Sequence, residues 1–262
     1  MQLHGNPLRG VITDMDGVLW RGDVILPGVV DFIQHLIEAN IPYVFATNNS
    51  SRTVENYLTK LAGLGIPAEA DQILSSAVAT AAYLAEQYPP GTRVHVVGEQ
   101  GLRETLTAYG FTVVEDDPAL VIAGIDRHFT YETLRRATDF IRAGVPFIGT
   151  NPDKTFPVPE GFAPGAGSVL AALEAAGGVP PQIIGKPAAP MFQVALERLG
   201  STPNTTLMIG DRLETDIHGA AALGIHTALV LTGVATAEDA AHSEPAPDGI
   251  YADLPALGRA LL

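Results

Sequence analysis

Apolar residues along this chain fall into short continuous runs that alternate with longer stretches of helical spacing. The run VITDM (11–15) reads as a buried strand, and PGVVDFIQHLIEAN (27–40) repeats its apolar positions with the helical period. IPYVFATN (41–48) is the next strand; SRTVENYLTKLAGLG (51–65) is a helix with Ser50 or Ser51 to cap it, and SSAVATAAYLAEQY (75–88) is another. Pro89-Pro90-Gly91 stops that helix. The order then restarts: strand RVHVVG (93–98), helix 99–110, strands FTVV (111–114) and ALVIAGI (119–125), helix 130–144, strand VPFIGTN (145–151), helix 165–178. QIIGKP (182–187) brings a turn, and Met191, Val194, Ala195 and Leu199 line one helical face after it. Strand TTLMIGD (205–211), helix 214–224 and strand IHTALVLTG (225–233) follow; 238–249 reads as a surface loop, and the tail DLPALGRALL as short and partly irregular.

Such alternation predicts an α/β fold: parallel sheets with helices on both faces. The breaks PPG and VPPQ bracket a second α/β unit at 82–181, leaving 1–81 and 182–262 as one discontinuous domain around it. The length of 262 residues and an apolar share of 47% allow two modest cores. The formal charge of −14 opposes a nucleic-acid backbone partner. It leaves phosphate substrates open, because a metal ion reverses the local field. With no cysteine, disulfides, thiolate catalysis and thiolate metal sites drop out, which fits a reducing cytoplasm. MQLHGNPLRG carries no apolar signal segment, and no run approaches membrane-spanning length. The expectation is a soluble cytoplasmic protein with no membrane partner.

Four polar stretches fall at or beside strand ends, where open α/β sheets place their sites. In TDMDG (13–17), Asp14 can serve as a nucleophile and Asp16 can trade a proton with a leaving oxygen, with Gly17 allowing a tight turn. The plainer alternative is an Asp-Gly turn closing a strand. In ATNNSS (46–51), Thr47 can donate to a phosphoryl oxygen just before a helix start, or the segment is an ordinary capped loop. In IIGKPAAP (183–190), Lys186 can neutralise a phosphate, or it is a surface lysine in a turn. In IGDRLETDIHGA (209–220), Asp211 and Asp216 offer hard oxygen ligands suited to Mg²⁺, although Asp216 alone also fits a helix start. GxxxxGK[ST], HExxH and GxSxG are absent, and no GxGxxG follows a strand.

The ordered set DMDG, TNNS, GKP and GDRLETDI resembles the haloacid dehalogenase-like phosphatases, and within them the NagD / 4-nitrophenyl phosphatase branch, over about residues 9 to 235. The resemblance implies a Rossmann-like core carrying an inserted α/β cap that sorts substrates. It implies Mg²⁺-dependent hydrolysis of small phosphomonoesters, with Asp14 as the nucleophile that becomes aspartyl-phosphate. Asp16 would be the general acid/base, its main-chain carbonyl also touching Mg²⁺. Thr47, Asn48 and Lys186 would bind phosphate. Asp211 would complete the metal ligands with Asp14 and Asp16, and Asp216 would stand behind them. TNPDKTFP (150–157) resembles the cap segment facing the substrate, which makes Asn151 and Asp153 substrate-side candidates. A homodimer through the cap is compatible with the family. His218 and His226 have no role in this scheme. Two other readings stay open: a non-catalytic phosphate-binding or regulatory protein on the same fold, and a related reaction, dehalogenation or phosphoryl migration within a sugar.

Overall fold

The buried run Gly10–Thr13 lies inside a six-stranded sheet in the computed structural model, which describes residues 2–3, 6–158 and 161–261. Residues 1, 4 and 5 of the amino-terminal stretch and Leu262 of the tail lie outside the described residues. The strand order is Gly249–Tyr251, His226–Val230, Thr206–Gly210, Gly10–Thr13, Tyr43–Thr47, Ile73–Ser75, and the first five run parallel. Val11, Ile12, Phe45, Met208, Ile209 and Leu229 are fully buried, as expected of strands covered on both faces. The helix Val29–Glu38 turns Val29, Phe32, Ile33 and Leu36 inward, an i, i+3, i+4, i+7 stripe. The tail is more regular than its sequence suggests: Leu254–Leu261 is a helix burying Leu254, Leu257 and Leu261 at helical spacing.

The chain divides into two compact units, one of residues 1–47, 57–74 and 192–262, the other of 48–56 and 75–191. The segment 82–181 lies within the second unit, which also takes in 48–56, 75–81 and 182–191. That unit has its own parallel sheet, in the order Gln182–Ile183, Phe147–Gly149, Leu120–Ala123, Arg93–Val97, Thr112–Val113. Its core joins Val97, Val121, Ala123 and Phe147 of the sheet to Ala137 and Ile141 of the helix Tyr131–Arg142. Val169, Leu170 and Leu173 of the helix Ala166–Gly177 pack into the same cluster. The α/β class with parallel sheets and helices on both faces is therefore the observed one. Among the described residues, no helix is long and apolar enough to cross a membrane.

Several local expectations are corrected. The helix read from 51 starts at Val54. Thr53 caps it: its hydroxyl accepts from the Asn56 N–H at 3.2 Å, and Asn56 Oδ1 accepts from the Thr53 N–H at 3.2 Å. Ser51 is not the cap, because Asn49 Oδ1 takes both its N–H (2.9 Å) and its hydroxyl (2.7 Å) in a local turn. Within 238–249 the expected loop begins as the end of a short helix, Ala237–Ala241, nucleated by a Thr236–Asp239 capping box. QIIGKP opens with the strand Gln182–Ile183 rather than a turn. His218 and His226 serve local structure: His218 Nε2 lies 2.8 Å from Ser243 Oγ, and His226 Nδ1 lies 3.6 Å from Asp248.

Candidate active site

The register of the first sheet places two predicted carboxylates side by side. Thr13 pairs with Ile209, so the neighbouring parallel strands Gly10–Thr13 and Thr206–Gly210 end on the same edge of the sheet. Asp14 and Asp211 are the next residues of each chain segment, and the Asp14 N–H donates to the Ile209 carbonyl at 2.8 Å. Asp216 returns to this edge through a wide turn. Leu213–Ile217 is π-helical, with the Ile217 N–H reaching back five residues to the Arg212 carbonyl at 3.3 Å. Asp211 lies before that turn, so the two acids meet across the strand end, Arg212 and the wide turn together rather than along one regular helix. Asp14, Asp211 and Asp216 each offer one carboxylate oxygen, all within 4.8 Å of one another, and all three side chains are buried.

Main-chain N–H groups hold two of these acids. The Val234 N–H donates to Asp211 Oδ2 at 2.8 Å, and the Arg212 N–H donates to Asp216 Oδ2 at 3.2 Å. Gly17, at φ +88°, and Gly233 press their backbones against the Asp211 carboxylate, where a β-carbon on either would collide with it. Three like charges this close repel, and burial disfavours each as an ion. A divalent cation with an oxygen shell offsets both terms, and an all-carboxylate donor set matches a hard ion such as Mg²⁺. The residues therefore fit the group that the sequence implies.

Asp16 stands apart from this cluster: it is exposed, and its Oδ1 accepts the Trp20 indole N–H at 2.7 Å. The chain does not stay extended through it, because the Met15 carbonyl accepts the Leu19 N–H at 2.8 Å. Thr47 closes the strand Tyr43–Thr47 and is buried.

In the second unit, four more predicted residues share one network. Asn48 Nδ2 donates to the Lys186 carbonyl at 2.8 Å and reaches both carboxylate oxygens of Asp153 at 3.2 Å. Asn151 Nδ2 donates to the Asn48 carbonyl at 2.6 Å, and Asn151 Oδ1 accepts the Asp153 N–H at 3.2 Å. Lys186 is 2% exposed, which excludes the surface-turn alternative for it.

Comparisons with known proteins decide the family. Residues 11–112 match the model of the haloacid dehalogenase-like hydrolases, and residues 183–257 match a HAD-hydrolase-like model. An acid sugar phosphatase of Staphylococcus epidermidis is 37% identical over 247 residues, covering 94% of this chain and 95% of that protein. The chain belongs to the haloacid dehalogenase-like hydrolases. Within this family it is a phosphatase of the branch of NagD and the 4-nitrophenyl phosphatases. The 4-nitrophenylphosphatase structure from Thermotoga maritima superposes with a TM-score of 0.93 at 36% identity, covering 97% of this chain and 98% of that one. A glycerol phosphate phosphatase from Mycobacterium tuberculosis, solved in complex with magnesium, gives 0.89 at 35% identity, covering 96% of this chain and 77% of that one.

For this haloacid dehalogenase-like phosphatase, the Gly233 contact yields a direct test. Gly233→Ala should displace the Asp211 carboxylate and lower phosphate release about 100-fold, the scale of a 1 Å misplacement at a reacting centre. The circular dichroism spectrum should stay unchanged, and full activity in the variant would show that the loop yields instead. Sequence reasoning missed both this loop and Trp20. The signal for Trp20 was present: Gly22-Asp23 is a two-residue hairpin turn joining Trp20–Arg21 to Val24–Ile25.

Proposed function

We propose that the protein hydrolyses small phosphomonoesters in two steps through a phosphorylated Asp14, with Mg²⁺ held by Asp14, Asp211 and the main-chain carbonyl of Asp16. The observation that carries this reading is the convergence of three buried carboxylates within 4.8 Å at the carboxyl edge of a parallel sheet. Bound there, the ion would draw charge from a phosphoryl oxygen and quiet its repulsion from the nucleophile. Asp14 attacks phosphorus in line as the ester oxygen leaves, and Asp16 gives that oxygen its proton. Asp16 then takes a proton from the water that cleaves the acyl phosphate, restoring both acids. Asp216 shares the buried cluster and helps set its charge. Thr47 and Asn48 are assigned to the equatorial oxygens. Lys186 is assigned the counter-charge, supported by the burial of its ammonium. Asn151 and Asp153 are assigned to the substrate side, supported by their shared network with Asn48.

The relatives named above are an acid sugar phosphatase, a glycerol phosphate phosphatase and a 4-nitrophenylphosphatase, which supports a small phosphomonoester here. The test is phosphate release from sugar phosphates, glycerol phosphate, phosphoglycolate, nucleotides and 4-nitrophenyl phosphate, with and without Mg²⁺. Release from at least one substrate that requires the ion is expected. No release from any member in the presence of Mg²⁺ overturns the reading.

A further inference from the structure

Trp20 is the chain's one tryptophan and is 1% exposed, yet its polar edge meets an exposed carboxylate. Its indole N–H donates to Asp16 Oδ1 at 2.7 Å, while its own carbonyl accepts the Gly17 N–H at 2.8 Å. The DGVLW turn is thus closed twice, once through the main chain and once through the side chain. The indole is itself held. Lys60 Nζ sits 4.4 Å from the ring centroid, a cation–π contact, and donates to the Gly22 carbonyl at 2.8 Å in the turn of the hairpin that Trp20 begins. The same hairpin is tied down at Arg21, whose Nε donates to the Thr232 carbonyl at 2.7 Å; the Thr232 hydroxyl in turn donates to the Gly17 carbonyl at 2.7 Å.

We infer that Trp20 is the positioning residue for the Asp16 proton, with Lys60 fixing the indole, an inference that rests on the assignment of Asp16 as general acid/base. An indole nitrogen only donates. Oδ1 must therefore accept in both protonation states of Asp16, and the mobile proton belongs to Oδ2. An exposed carboxylate without that bond would sample several rotamers and carry the proton on either oxygen. In the first step the Oδ2–H bond breaks as the proton passes to the departing ester oxygen, whose bond to phosphorus breaks while the Asp14–phosphorus bond forms. In the second step a water oxygen bonds to phosphorus, the Asp14–phosphorus bond breaks, and the water proton returns to Oδ2. The cation over the ring face polarises the indole and strengthens its N–H as a donor.

Leaving-group dependence tests this. 4-Nitrophenolate departs without a proton, whereas the alkoxide of glycerol phosphate needs one. The quantity is the ratio of kcat/KM for the two esters, which reports steps through departure of the leaving group. Each ratio is internal to one preparation, so a loss of folded protein cancels. Asp16→Asn should depress the glycerol phosphate value about 100-fold more than the aryl value, in the range of general-acid contributions. Trp20→Phe should move the ratio about tenfold in the same direction, the scale of one hydrogen bond to a charged group. Lys60→Met should move it the same way by less. An unchanged ratio in Trp20→Phe, with Asp16→Asn shifted, overturns the role of Trp20 and leaves Asp16 standing. An unchanged ratio in Asp16→Asn removes the acid/base assignment and the inference with it. An unchanged ratio in Lys60→Met alone removes the part given to Lys60. A second measurement needs no turnover: the single indole N–H signal in a nitrogen–proton correlation spectrum should move and exchange faster with solvent in Asp16→Ala. A signal that stays in place overturns the hydrogen bond.

Discussion

Asp14→Asn should lower phosphate release about 10⁴-fold or more, the scale seen when an enzyme loses its nucleophile. An amide has nearly the same shape, so the strand end and its bond to Ile209 should persist. It carries no charge to attack phosphorus and is a poorer ligand for a hard cation. Stability should move the other way. Asp14 is one of three acids whose oxygens crowd within 4.8 Å, and replacing one removes part of their mutual repulsion, which weighs most when divalent ions are chelated. In chelator, the variant should melt at or above the wild-type temperature. Near-wild-type turnover in Asp14→Asn would end the assignment of this residue, and a sharp fall in its chelated melting temperature would show that its carboxylate contributes more to folding than its repulsion costs.

Chelation is the second large effect. Removing divalent ions should bring activity to background, and returning Mg²⁺ should restore it. The same ion should stabilise the folded chain by linkage, about 2.7 kcal/mol at one hundred times its dissociation constant. For a chain of this size that is a rise of about 5–11 °C in Tm. Asp211→Asn should abolish the rise, because Asp211 is 1% exposed, belongs to the cluster and packs against Gly17 and Gly233. A wild-type Tm indifferent to Mg²⁺, or a rise that survives Asp211→Asn, would separate the carboxylate cluster from the ion.

The parts of this site that could be read in the sequence share one property. Asp14 and Asp211 each directly follow a fully buried, mainly apolar strand, so burial and edge position could be read from the hydrophobic pattern. Parallel pairing of those strands then brings the acids together without any loop conformation having to be known. Asp216 was less legible, because its approach depends on a π-helical turn that no periodicity announces. The hairpin around Gly22 was overlooked because its strands are two residues long, too short for alternation to register. Gly249–Tyr251 and Ile73–Ser75 were missed for the same reason, three residues each at the sheet edges. The cap of the helix at Val54 went to Thr53 because Asn49 competes for Ser51, a contest between side chains that composition does not decide.

The acids that meet at positions 14, 211 and 216 come from opposite ends of the chain, with the whole second unit between them in sequence. During synthesis the nucleophile therefore emerges first and waits. Its partners arrive only after the intervening residues have left the ribosome, so a long loop must close before the three acids meet. A nascent chain cut before residue 206 would lack the central strand Thr206–Gly210, and newly made protein would acquire its chemistry in one late event rather than by degrees.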